Sequence, residues 1–94
     1  MSERAYAEGV YRLSSQAALE SFEEGGLVLR LTDRHLFELN PTALRILELS
    51  DGRRTAGEVA AELAAAFEID EQQAVQDVLS LYDDFSEQGI IELA

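Results

Sequence analysis

Cysteine, tryptophan and lysine are missing from the 94-residue chain, and proline, methionine and histidine occur once each. Without cysteine there is no disulfide framework and no thiolate chemistry. A single histidine, His35, leaves no nucleophile–base pair and no metal cluster of the usual kinds. Gly25-Gly26 is too short for a phosphate-cradling loop and leads toward a strand rather than a helix. Long apolar runs are absent too: none approaches the roughly 18 residues of a membrane span, and MSERAYAEGV lacks a signal-peptide pattern. These absences point away from an enzyme, a metalloprotein or a membrane protein, and lead us to expect a cytoplasmic chain without cofactor.

Positive charge is scarce and confined. Seven basic residues, all arginine, stand against 19 acidic ones for a net charge of −12, and none lies beyond Arg54. A nucleic-acid surface needs clustered Lys or Arg to neutralise phosphates. Here the C-terminal 40 residues would repel them. The adjacent pairs Glu23-Glu24, Asp70-Glu71 and Asp83-Asp84 fit solvated faces and helix starts better than a metal site.

What is present supports one small α+β domain spanning 1–94, with 47 % apolar residues to build a single core. Residues 1–9 read as a flexible arm. Val10–Leu13 is a brief extended segment, and Tyr6 and Tyr11 are candidates to dock on the body. From Ala17 to Leu39 the period-2 alternation and the turns Glu24-Gly25-Gly26 and Asp33-Arg34 predict a three-stranded antiparallel meander. Its last arm, His35–Leu39, directs Phe37 and Leu39 inward and Leu36 and Glu38 outward. If nothing covers it, it is an open sheet edge, where a peptide can bind by adding a strand.

Three helices follow. Asn40 caps the first, Pro41–Leu49, with Asp51-Gly52 as its stop. The second opens with the capping box Thr55–Glu58. The third starts at Asp70 and runs to about Gln88, and Ile90, Ile91 and Leu93 form a closing strand or an anchor. On the third helix Leu81, Ala74, Phe85, Val78, Tyr82, Val75 and Leu79 cover an arc of about 160°, where one core contact needs about 100°. The excess implies a margin that lines a groove, bordered by Asp77, Asp83 and Asp84. The alternative is a central helix packed on all its neighbours. The second and third helices have helix-turn-helix proportions, but the would-be recognition helix has no basic residue, so DNA is not the expected partner. An acyl carrier is disfavoured as well: Ser50-Asp51 reverses the order of its attachment site, and the first half is β-rich.

Glu38-Leu39-Asn40, Ile46-Leu47, Asp51-Gly52, Thr55-x-x-Glu58-x-x-Ala61, Ile69-Asp70, Val75-x-Asp77-Val78-Leu79 and Gly89-Ile90-Ile91, in that order and spacing, resemble the PqqD family. These are the pyrroloquinoline-quinone biosynthesis chaperone and its relatives, and the similarity spans about residues 10–93, with Ser15–Phe22 departing from the pattern. The resemblance implies a winged helix-turn-helix that recognises the leader of a ribosomally made precursor peptide. It also implies presentation of that peptide to a modifying enzyme, often a radical S-adenosylmethionine protein. Carried over to this sequence, the peptide-binding residues are His35, Leu36, Phe37 and Glu38 on the strand and Val75, Val78, Leu79 and Tyr82 on the helix. Val78→Asp should then abolish peptide binding and leave the fold intact. The −12 charge implies compensating basic residues on the leader or on the enzyme's docking face, and hence salt-sensitive binding. A winged-helix regulatory domain that binds a protein instead of a leader is the competing expectation.

Overall fold

The computed structural model describes residues 4–94. The elements are β1 (Val10–Leu13), β2 (Ala17–Phe22), β3 (Gly25–Arg30), β4 (His35–Leu39), α1 (Pro41–Leu49), β5 (Asp51–Thr55), α2 (Ala56–Phe67), α3 (Glu71–Glu87) and β6 (Ile91–Leu93). They form two three-stranded antiparallel sheets, ordered β2-β3-β4 and β5-β1-β6.

The first sheet is the expected local meander. Its first turn depends on Gly25 at φ +125°, where a Cβ would also collide with the carbonyl oxygen of Leu39. Only glycine serves both needs. The turn therefore sits flush against the end of β4.

The second sheet departs from expectation. Asp51–Thr55 carries no apolar alternation, and its Gly and Thr suit a turn and a helix cap. Yet it pairs with β1, which pairs on its other side with β6. Strand formation here is imposed by partners about 40 positions away, a signal that local periodicity does not carry. Exposed Arg12 spans the sheet to Glu92 at 2.9 Å.

The helix caps follow from the residues at them. The side chains of Asn40, Thr55 and Asp70 accept from the backbone N–H three positions on, and Glu58 completes the capping box. At the far end of α3, Gly89 takes φ +73°. Its N–H bonds Ser86 O, and Ile90 N–H bonds Phe85 O, a Schellman stop that throws fully buried Ile90 under the core and starts β6. Residues 1–3 of the arm lie outside the described residues. Residues 4–9 are not a loose arm: Gly9 and Ala7 carbonyls take the first N–H groups of α2, and Ala5 N–H bonds Asp83 at 2.6 Å. They satisfy donors that a helix start leaves orphaned.

The core gathers α1, α2, the inner face of α3, and the inner faces of both sheets. Val59, Leu63, Ala74, Val78 and Ile90 are all fully buried. Tyr82 is 1 % exposed and stacks on Tyr11 at a 4.5 Å centroid distance. Its hydroxyl lies 2.5 Å from Ser50 Oγ. Because Ser50 donates its one proton to Ile46 O at 2.6 Å, Tyr82 is the donor to Ser50. Burial pushes the Tyr82 phenol up in pKa.

Two predictions follow from this packing. Val78→Asp puts an unpaired carboxylate at a site with 0 % exposure and should cost at least about 3 kcal/mol, so thermal denaturation would show loss of the fold itself. Ser50→Ala should cost about 1–3 kcal/mol by removing the acceptor of a buried hydroxyl, read as a lower denaturant midpoint. Tyr82→Phe in the Ser50→Ala background should recover part of that loss.

Candidate functional site

In an antiparallel ladder, alternate residues of a strand bond to opposite neighbours. Leu31 N–H donates to Gln16 O at 2.7 Å, in the same register that pairs Ala17 with Arg30. This sets the phase. Leu27 and Leu29 bond toward β2, whereas Gly26, Val28 and Arg30 bond toward Leu39, Phe37 and His35 of β4. The N–H and C=O groups of Leu36 and Glu38 therefore point off the sheet. No described strand pairs on that side.

The side chains of β4 divide as expected. Leu36 is 57 % exposed and Glu38 is exposed, while Leu39 is buried. Phe37 turns inward beneath α3, edge-on to Phe85 at 6.0 Å, with His35 at 4.5 Å and the Arg30 guanidinium 5.3 Å from its ring centre. Arg30 also donates to the Gln88 carbonyl at 3.0 Å and to its side chain at 2.7 Å. The C-terminal end of α3 is thus tied to the His35 end of β4. Near the Asn40 end, α3 and α1 diverge to leave a groove of about 360 Å³. Asn40, Thr42, Ala43, Ile46, Asp77, Ser80, Leu81 and Asp84 line it.

The strand residues His35, Leu36, Phe37 and Glu38 lie where the sequence puts them, on a free edge. The helix residues do not line the groove. Val78 and Tyr82 belong to the core, Val75 and Leu79 are half-buried against it, and none of the four is in the groove wall. The arc is wide because α3 is central, packed on its neighbours on both sides. Only its Leu81 margin reaches the groove, between Asp77 and Asp84, which the sequence had marked as a border. Thr42 and Ser80 had no sequence signal, since their role exists only once α1 and α3 diverge.

Comparison with known proteins decides the family. The family model for coenzyme PQQ synthesis protein D (PqqD) matches residues 25–91. The "PqqA binding protein" of Xanthomonas euvesicatoria pv. vesicatoria is 33 % identical over 63 residues, covering 67 % of this chain and 68 % of that protein. The chain belongs to the PqqD family. Two solved structures share the fold. One is the PqqD truncation of Methylobacterium extorquens PqqCD, a stand-alone recognition element for ribosomally synthesised, modified peptides (TM-score 0.79, 24 % identity, 94 % of each chain). The other is lasso peptide synthetase B1 complexed with the leader peptide (TM-score 0.77, 22 % identity, 88 % of this chain and 98 % of that one).

In this PqqD family member the groove's charge is uncompensated. The five ion pairs among the described residues engage Glu92, Asp33, Glu48, Asp51 and Glu62. Asp77, Asp84 and Glu38 take part in none of them. Asp77 has only the Gln73 amide, at 2.9 Å. Among the described residues there is no group of side chains that could hold a metal, and no helix is long and apolar enough to cross a membrane.

The turn into β4 carries its own pH dependence. Arg30 grips Asp33 through two hydrogen bonds, 2.9 and 2.6 Å. These bonds hold the Asp33 carboxyl down to about 2, from an ordinary 3.8. A depressed carboxyl stabilises the fold above its unfolded value and loses that effect as pH falls toward the folded one. Asp33→Asn should therefore lower the melting temperature modestly at pH 6, because the pair is solvent-screened. The difference from wild type should shrink between about pH 4 and pH 2, followed by circular dichroism.

Proposed function

We propose that the protein is a non-catalytic adaptor. It captures the leader of a ribosomally made precursor peptide as a fourth strand on β4 and presents it to a modifying enzyme, of radical S-adenosylmethionine type. The observation that carries this is the outward-pointing backbone of Leu36 and Glu38, on a strand whose end runs into Asn40 at the wall of the α1–α3 groove. Strand addition draws affinity from main-chain bonds and specificity from pockets for alternate side chains. Both are at hand: two residues' worth of free N–H and C=O, and Leu81 and Phe37 as apolar footing. The name of the Xanthomonas relative and the leader bound to the lasso synthetase support leader capture.

The acidic groove also selects. Asp77 and Asp84 favour a guest with Lys or Arg flanking an apolar anchor, and α3 offers no cation to a phosphate backbone. The competing view, a regulatory domain that binds a folded protein, requires that no leader engage β4.

Proline substitution separates these. At an edge strand, proline is tolerated where its N–H faces away from the sheet. Glu38→Pro removes one outward donor and blocks the guest while sparing the β3–β4 ladder. Leader affinity, measured by fluorescence anisotropy with a labelled precursor leader peptide, should fall at least about tenfold with the fold kept. Phe37→Pro, which removes an inward donor, should instead destabilise the sheet. Equal leader affinity in wild type and Glu38→Pro would refute strand addition.

A further inference from the structure

A sheet with one face on the core and one in water normally alternates apolar-in and polar-out. The β2-β3-β4 sheet breaks that pattern. Its inner row is Leu19, Val28 and Phe37, and its outer face also carries leucine at each outward position of the central strand after Gly25. Across the outer face the registers read Ala18–Leu29–Leu36 and Glu20–Leu27–Glu38. Leu36 is 57 % exposed and Phe22, opposite Gly25 on the same face, is 58 % exposed, while Leu27 and Leu29 are half-buried without belonging to the core cluster. No described element covers this face.

We infer that the outer face of β2-β3-β4 is the docking surface for the modifying enzyme, through an apolar patch on that enzyme rimmed by Lys or Arg. The assignment rests on leader capture at β4, and three observations select the occupant. First, the face is continuous with the guest's berth. Leu36 belongs both to the leucine patch and to the edge strand, so an added strand widens the patch by one row about 4.8 Å away. A partner seated there touches the guest's outward side chains directly. Second, Glu20 and Glu38 flank Leu27. At the turn end the patch runs into a depression of about 460 Å³, in which Phe22 and Leu27 lie among Glu23, Glu24 and Glu38. An apolar centre with an acidic rim matches an apolar centre with a basic rim. Third, a second copy is a poor fit. Two chains of −12 meeting here would bring Glu20 and Glu38 of one against the same carboxylates of the other.

The double variant Leu27→Thr/Leu29→Thr keeps β-favouring side chains and removes apolar area without touching the edge strand. Its leader affinity should match wild type, while affinity for the purified modifying enzyme, by surface plasmon resonance, should drop at least about tenfold. On wild-type protein, methyl-labelled leucine spectra should show the Leu27 and Leu29 signals shifting on addition of enzyme, a readout that does not depend on the variant folding. Unchanged enzyme affinity in a folded variant, or unmoved leucine methyls with the enzyme bound, would overturn the assignment. So would a wild-type homodimer in light scattering that the variant abolishes. Failure of wild-type protein to bind leader at all would overturn leader capture, and the docking with it.

Discussion

The commitment of α3 to the core governs the rest of the structure. Val78 and Tyr82 occupy the middle of the helix and are closed off from water, and the Tyr82 hydroxyl is spoken for by Ser50. Tyr11 lies against the Tyr82 ring and brings β1 with it. A helix held on that side cannot also lean onto the edge of β4. It meets the first sheet through Phe85 over Phe37 and through Gln88 on Arg30, both toward the His35 end. The opening left toward Asn40 is thus a consequence of where α3 is anchored. Tight packing of a central helix and an empty groove beside it have one cause.

An unpaired strand is a hazard, since any exposed extended segment can pair with it. This edge is short at five residues, carries Glu38, and is bounded by a turn at one end and a proline-started helix at the other. Those features limit adventitious pairing without closing the berth. The net charge acts in the same direction: like chains repel over the range of a Debye length, while a cationic segment is attracted. The uncompensated carboxylates of the groove are informative because the four arginines that form ion pairs, Arg12, Arg30, Arg45 and Arg54, do so on the β4 turn and on α1, β5, α2 and β6, and none pairs with Asp77 or Asp84. Charge left unpaired at one place and paired at others points to a partner that brings the opposite sign.

Local order was legible and long-range order was not. Asn40-Pro41, Thr55 with Glu58, Asp70 with Gln73, and Gly89 each mark a helix boundary through bonds made within a few residues. The meander from Ala17 to Leu39 is likewise set by alternation and two turns. The strand at Asp51–Thr55 escaped because its pairing with β1 is decided some 40 residues away and its side chains are polar. The groove's helix wall escaped for a related reason. A wheel shows how wide an apolar arc is, but not how many neighbours share it. Val78 and Tyr82 sit at the centre of that arc, which is the best place for core and the worst for a groove. Leu81 at its margin, next to Asp77 and Asp84, satisfies the opposite requirement.

The outward leucines of β3 belong to the same logic. A three-stranded sheet backed by helices on one side has little apolar area to gain by leaving leucine in water, at about 25 cal/mol per Å², and threonine would serve the strand equally well. Their presence makes sense if the face is wet only part of the time. A guest strand on β4 would have its inward side chains under the α3 margin and its outward ones beside Leu36, level with the patch. Whatever covers the leucines would then meet the peptide on the side that the groove leaves open. Capture and presentation would be properties of the two faces of one added strand, with the backbone of Leu36 and Glu38 as the hinge between them.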